Sequence, residues 1–337
     1  MFMVATSLSA QTLITWSGAS GTDDNWTTAT NWVGGVAPIT GNVDALDFTG
    51  TTGLTNTNNN TGNFSIANIT FDSAAGAFDI TSLTSTLALG GSSLITDQST
   101  SLETLNANVN IGSALIIDVT NSAGELEITG GNISGGHSLT ISGPGTVYFN
   151  GGVANLYTSS GGTNINDGTL EVGCTTLTTS TPFGATNRPL NINGGTLALD
   201  GGTGTFSIAN SVTTTTTSTL DVGNATTALN LSFTNTTLGF AVGNATSAAT
   251  LNINLPLSSS IVSFNGPLVG GAGTSNLIEL GTSIGTVRWN GSGSTSKGGA
   301  NVTFDMGTGS ATMVTGGSTG TISLGALIGG PNTILSG

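Results

Sequence analysis

From about residue 51 onward the chain is written in short alternations of apolar and polar residues. Ser138-Leu139-Thr140-Ile141, Thr146-Val147-Tyr148-Phe149, Thr169-Leu170-Glu171-Val172, Pro189-Leu190-Asn191-Ile192 and Thr196-Leu197-Ala198-Leu199 each set apolar residues two positions apart. A period of two belongs to a strand with one buried face, because successive side chains point to opposite sides. Glycine pairs punctuate these pieces at Gly90-Gly91, Gly130-Gly131, Gly135-Gly136, Gly151-Gly152, Gly161-Gly162, Gly194-Gly195 and Gly201-Gly202. Glycine and asparagine accept the left-handed backbone angles of tight turns. The pattern therefore predicts many short strands joined by many turns.

One stretch repeats outright. Leu220-Asp221-Val222-Gly223-Asn224-Ala225-Thr226 returns as Phe240-Ala241-Val242-Gly243-Asn244-Ala245-Thr246, and Thr214, Thr216 and Thr217 return as Thr234, Thr236 and Thr237. The common offset is about 20 residues, too short for a propeller blade and suited to one coil of a solenoid. Each coil then contributes two or three strands that pair in parallel with the coils above and below, about 4.8 Å away. Inward Val, Ile, Leu, Ala and Phe stack into a narrow core. At about 20 residues per coil, residues 51–337 predict about 14 coils and a rod about 70 Å long.

Composition supports this fold class and narrows the chemistry. Only 6% of the 337 residues are charged, yet 36% are hydrophobic, so there is apolar surface to bury and the chain does not read as disordered. Glycine accounts for 53 residues, and threonine, which favours strands, is more frequent still. The surface must consist largely of neutral Thr, Asn and Ser. No run of about 18 apolar residues is present, so no membrane-spanning helix is predicted. Net charge is −14 with three basic residues, Arg188, Arg288 and Lys297. Nucleic acid and anionic lipid are therefore poor partners, since both need Lys/Arg counter-charges. The lone Cys174 has no internal disulfide partner, and one Cys with one His builds no metal cluster. No cofactor or metal is expected, and Cys174 reads as a small buried hydrophobe.

The N-terminal region stands apart. Residues 1–10 read either as the remnant of a signal peptide, with small residues before Gln11, or as an apolar first strand. Residues 11–50 hold Trp16, Trp26 and Trp32, three of the four tryptophans. The terminal coils of a solenoid need caps, and this segment is the candidate N-terminal cap, with Trp16, Trp26 and Trp32 as its structural residues.

These residues resemble a known family, the autotransporter-associated β-strand repeat proteins of bacterial cell surfaces. Thr15-Trp16-Ser17-Gly18, Asn25-Trp26-Thr27, Asn31-Trp32-Val33-Gly34-Gly35-Val36-Ala37-Pro38, Asp44-Ala45-Leu46-Asp47-Phe48 and Asn68-Ile69-Thr70-Phe71 are similar to its N-terminal pattern. Leu139-Thr140-Ile141-Ser142-Gly143-Pro144-Gly145-Thr146-Val147, followed by Gly161-Gly162-Thr163-Asn164-Ile165-Asn166-Asp167-Gly168-Thr169-Leu170, resembles its repeat. The likeness covers roughly the first half of the chain; the second half shares its texture only. It implies an all-β, right-handed parallel β-helix exported to the cell surface or secreted by a bacterium, and no single biochemical activity. The family's translocator barrel does not follow Ile334-Leu335-Ser336-Gly337, so the chain reads as a fragment or as a protein exported in another way.

Candidate chemistry is sparse. Glu125 and Glu127, two apart on a strand, would hold their carboxylates about 7 Å apart on one side, a separation a glycosidase could use. Their plainer reading is an acidic strand edge, because Arg188, Arg288 and Lys297 lie far away in sequence and a cationic partner for acidic sugar is missing. His137 lies in a turn with no nucleophile or orienting acid beside it. Asp23, Asp24, Asp44 and Asp47 offer oxygen ligands for Ca²⁺ but lack a calcium-loop spacing. Thr214/Thr216 and Thr234/Thr236 suggest a flat threonine face able to order water, or more simply a stabilising ladder. No catalytic residue is assigned, and the chain is not read as an enzyme. The leading expectation is a structural rod, either a surface passenger or a subunit that self-associates into a fibre through its coil edges. The alternative is an adhesin or glycan-binding module using exposed Tyr148, Tyr157 or Trp289. A polysaccharide-active enzyme ranks behind both.

Overall fold

The computed structural model describes the chain apart from residues 1–10, 41–43, 130, 151–159, 174–182, 202–203, 273–274, 291–298, 300, 316–322 and 337. Cys174, Tyr157, Lys297 and the N-terminal decapeptide lie outside the described residues. The rest is strand and turn, with two short 3₁₀ turns at Ala29–Asn31 and Val33–Gly35. All the strand pairings within the sheets are parallel, in a 23-stranded and a 6-stranded sheet. The fold is a β-solenoid of about 10 turns.

Three faces make up each coil. The first face begins with Leu13–Trp16 and Asp44–Phe48 and runs through Leu115–Val119, Leu139–Ser142, Thr163–Ile165, Leu190–Ile192, Val212–Thr214 and Phe240–Val242 to Leu268–Gly270. The second runs from Thr55–Asn58 through Glu125–Ile128, Thr146–Phe149, Thr169–Gly173, Thr196–Asp200, Ser218–Val222, Thr250–Asn254, Asn276–Glu279 and Val302–Asp305 to Ala326–Ile328. The third is clearest in the six-stranded sheet, from Thr205–Ile208 to Ile334–Ser336.

Register explains why alternation suffices to build the core. On the first face Leu46, Ile69, Ile95, Ile117, Ile141, Ile165 and Ile192 stand directly over one another, all buried. Each such side chain contributes about 1.5–3 kcal/mol by leaving water. A slip of one residue would turn the whole column outward, so burial fixes the register. Outward positions carry amide ladders instead: Asn191 Nδ2 donates to Asn164 Oδ1 at 2.8 Å and Asn193 Nδ2 to Asn166 Oδ1 at 3.1 Å. Corners rely on glycine where backbones touch. Gly168 has φ +58°, and a Cβ there would sit 2.2 Å from the Gly143 carbonyl oxygen.

The coil is longer than the repeat predicts. Neighbouring coils are offset by 22 residues at Thr215 and Asn193 and by 33 at Asn254 and Asp221, with a spacing of about 24 overall. At about 4.8 Å per coil the stack is about 50 Å long rather than 70. The cause lies in the repeat itself. Leu220–Val222 belongs to the second face and pairs with Leu197–Leu199, whereas Phe240–Val242 belongs to the first and pairs with Val212–Thr214. The two copies are not one coil apart; they end strands on different faces. What repeats is a corner. Asn224 Oδ1 accepts from the N–H groups of Thr226 and Thr227, and Asn244 Oδ1 accepts from those of Thr246 and Ser247. Gly223 and Gly243 precede them with φ +76° and +79°. The threonine ladder fails for the same reason: Thr214 is buried on the first face, while Thr234 and Thr236 are exposed just beyond the third-face strand Asn230–Phe233.

The N-terminal end is closed by aromatics. Trp16 and Trp32 meet edge to face at 5.0 Å, and Trp26 meets Trp32 at 5.9 Å and Phe64 at 5.9 Å. Phe71 and Phe78, packed on Phe48, continue the cluster beyond residue 50. Each indole N–H has an acceptor: Gly53 O for Trp16, Asn56 Oδ1 for Trp26 and Trp26 O for Trp32. The cap also pairs with part of the strand edges beneath it. Ser17 and Gly18 donate to Asn31 O, while Trp26 N–H donates to Thr57 O and Thr57 N–H to Asp24 O.

Candidate functional site

The second face gathers acidic side chains that the sequence scatters. Glu127, Tyr148, Glu171 and Ala198 form one outward column by register, followed by Asp221 and Asn254. Asp200 stands over Gly173 at the end of the same strands. Burial raises the Tyr148 hydroxyl above its usual range, and the charges of Glu171, Asp200, Glu127 and Glu125 add to it. Glu171 is likewise raised by burial and by the charges of Asp200 and Glu125, and Asp221 by burial against an opposing hydrogen bond from Asn254.

A hollow of about 460 Å³ opens beside this column, bordered by Glu171, Asp200, Asp221, Asn254, Pro256 and Ser283. A second, of about 380 Å³, shares Thr282 with it and continues past Glu279 and Asp305. Glu279 and Asp305 are direct register partners, an arrangement that destabilises neighbouring strands when both are charged. Amides rather than cations answer several of these carboxylates: Asn150 donates to Glu127, Asn224 to Asp200 and Asn254 to Asp221.

The other sequence candidates disperse. Glu125 and Glu127 do share the outer side of one strand, but their neighbours are Thr146 and Tyr148. Arg188 is exposed in a turn before Leu190–Ile192, and Arg288 is exposed on the third face. His137 is exposed in the bend before Leu139–Ser142. Trp289 is a correction to the glycan-binding expectation. It is fully buried between Phe264 and Phe304, at 5.2 and 4.7 Å, because its strand places it inward with Phe264. Tyr148 is half-buried. Among the described residues no group of three or more His, Cys, Asp and Glu could hold a metal ion. Asp23 instead accepts from Asn25 N–H at 2.9 Å, Asp47 from Thr15 Oγ1 at 3.3 Å, and Asp44 is buried, which raises its carboxyl.

Two features escape a motif search. One is the coil nearest the C-terminus. Ala326–Ile328 and Ile334–Ser336 are exposed along their length, each pairing along one edge only among the described residues. Ile334 is 54% and Leu335 61% exposed. The other is a pair of acids inside the solenoid, Asp97 and Glu103, both fully buried. The phase of alternation carries a signal for them: Asp97 is two residues after the inward Ile95, and Glu103 two before the inward Leu105.

Comparisons of the chain with protein-family models, with curated proteins and with solved structures found no match. The fold and these surfaces define the chain as a parallel β-solenoid with an aromatic N-terminal cap.

Proposed function

We propose that the chain is a structural β-solenoid of a bacterial cell surface or secreted assembly, architectural rather than catalytic, which associates with a second copy through its C-terminal coil. The observation that carries this reading is the open coil at 326–336. Ala326, Leu327, Ile328, Ile334 and Leu335 are exposed, uncharged and arranged on two strands that each pair along one edge only among the described residues. Natural edge strands are commonly blunted by Lys, Pro or charge, and these carry none within the strands. In a molecule with net charge −14, an uncharged patch is where two copies meet with least repulsion. The opposite end presents a different surface, since residues 24–32 pair with Trp16–Gly18 and with Thr57 and three tryptophan rings cover the core there. A closed, twofold pair is therefore favoured over a growing fibre, which requires two complementary ends.

Sedimentation velocity over a wide concentration range tests this. A monomer–dimer equilibrium that disappears in Leu327→Lys/Leu335→Lys supports the reading. A strictly monomeric species at high concentration, or filaments by electron microscopy, contradicts it. Cell-surface location is supported by the resemblance of Gly161-Gly162-Thr163 through Leu170 to surface repeats, and is checked by immunolabelling of intact cells.

A second reading, a glycan-binding module, draws on the acidic hollow. Carboxylates and amides side by side, as at Asp200, Asp221, Asn224 and Asn254, suit the hydroxyl groups of a neutral sugar. A glycan array on which Asp221→Ala and the parent chain bind equally, or neither binds, removes it.

A further inference from the structure

Asp97 and Glu103 occupy positions that elsewhere in the solenoid hold hydrocarbon. Asp97 stands in register between Phe71 and Val119. Glu103 stands under Leu126, in the column that continues through Val147, Leu170, Leu197 and Leu220. Both are fully buried, and Ser99 lies between them. Ser99 N–H donates to Asp97 Oδ1 at 2.9 Å, and Ser99 Oγ lies 2.8 Å from Glu103 Oε1. Glu103 Oε2 accepts the N–H of Phe78 at 2.8 Å. Ser101 Oγ donates to Ala75 O at 3.2 Å. The turn after Phe71 is thus stitched through these groups to the turn after Asp97, one coil on.

Among the described residues no cation answers the pair. The charged groups on the elements packed around it are all acidic: Asp72 in the turn, Asp79 on the same long strand as Asp97, Asp118 on the strand Leu115–Val119, and Glu125 and Glu127 on the strand beside Glu103. Asp97 Oδ2 is buried with no hydrogen-bond partner. Two ionised carboxylates separated by one serine, without counter-charge, are strongly disfavoured in such a site. A proton removes the conflict. With Glu103 protonated, its O–H donates to Ser99 Oγ across the same 2.8 Å, while Ser99 Oγ–H turns to Ser101 O at 3.3 Å.

We propose that Asp97, Ser99 and Glu103 form a proton-held latch that fastens the coil under the aromatic cap, shut in mildly acidic solution and loosened above neutrality. Burial raises Asp97 to about 6 and Glu103 to about 7, against hydrogen bonds that lower both, and the Asp97 charge adds to the rise at Glu103. The ordinary values are 3.8 and 4.5. Between about pH 4 and 7 the folded chain therefore keeps protons that the unfolded chain has released. The latch's contribution is complete below that window, falls as pH rises through it, and is flat above it. What loosens is the turn held by Glu103 at Phe78, whose ring packs on Phe71 and Phe48 at 6.3 and 5.4 Å.

Native-state hydrogen exchange on the intact chain tests the proposal. Opening at the Phe78 and Ser99 amides, corrected for intrinsic exchange, is expected to rise on the order of a hundredfold from about pH 4 to pH 8. Opening at Ile141 and Ile165 stays level. Glu103→Gln is expected to reduce the rise at Phe78 to less than about tenfold. An unchanged rise in a folded Glu103→Gln variant overturns the latch. So does closure of the site at pH 8 by millimolar Ca²⁺, which would make the occupant a metal ion rather than a proton. Should the variant fail to fold, infrared spectroscopy of the parent chain decides. A protonated, buried carboxylic acid band at about pH 6 that disappears above neutrality is expected, and its absence overturns the proposal.

Discussion

The two ends of this solenoid solve the same problem in opposite ways. Every stack of parallel coils leaves strand edges and a slice of core at each end. At the N-terminal end Trp16, Trp26 and Trp32 cover the core, and residues 24–32 pair with Trp16–Gly18 and with Thr57, while Leu13, Val33, Val36 and Ile39 stay exposed around them. Toward the C-terminus Ala326–Ile328 and Ile334–Ser336 pair along one edge only among the described residues and keep their apolar side chains in solvent. The difference is in what the segments are made of. The cap has large rings and glycine-rich bends that fold back over the first coil, so it satisfies its own donors. The last coil has only short aliphatic strands, which can bury their faces against another strand but not against themselves. Among the described residues one end thus has its core under rings, and the other leaves two short aliphatic strands exposed.

Breaking the sealed end gives the largest expected effect. Trp26→Ala empties the space between Trp32, Phe48 and Phe64 and costs about 3–5 kcal/mol, read as a drop in the urea midpoint of the parent chain. Asn56→Ala is smaller. It leaves the Trp26 indole N–H, now bonded to Asn56 Oδ1 at 2.7 Å in a buried site, without an acceptor, at about 1–3 kcal/mol. If Asn56→Ala were as damaging as Trp26→Ala, ring packing would not be what seals this end. Substitution at the open end barely alters the folded monomer. Leu335→Lys is expected to change its stability by less than about 0.5 kcal/mol, while abolishing the self-association read by sedimentation. A large loss of stability there would mean that the coil 312–336 is already closed in solution. Raising pH from about 5 to 8 should weaken the sealed end and spare the open one, because Asp97 and Glu103 lie beneath the cap.

Much of the architecture is readable residue by residue. Leu139, Ile141, Val147 and Phe149 alternate with polar neighbours, and all four are buried. The cap follows from three tryptophans in one glycine-rich stretch. Coil length is less readable. The one explicit repeat, Val222-Gly223-Asn224 and Val242-Gly243-Asn244, marks a kind of corner that serves two different faces. Corner chemistry is local and recurs wherever a strand must turn, whereas the coil step depends on loops whose lengths vary from coil to coil. Trp289 shows a second limit. It alternates with Val287 and so turns inward, whereas the glycan-binding expectation takes it as an exposed aromatic.

The alternation along the chain determined by itself that this protein is built of short strands with one buried, apolar face, because a period of two leaves each side chain one of two directions. Tertiary structure alone decided which strands share a face, where Glu127, Tyr148, Glu171 and Asp221 gather, and that Asp97 and Glu103 face each other's surroundings without a counter-ion. Proximity across coils and loss of water are produced by neighbours some 22 to 33 residues away, and no local pattern encodes them.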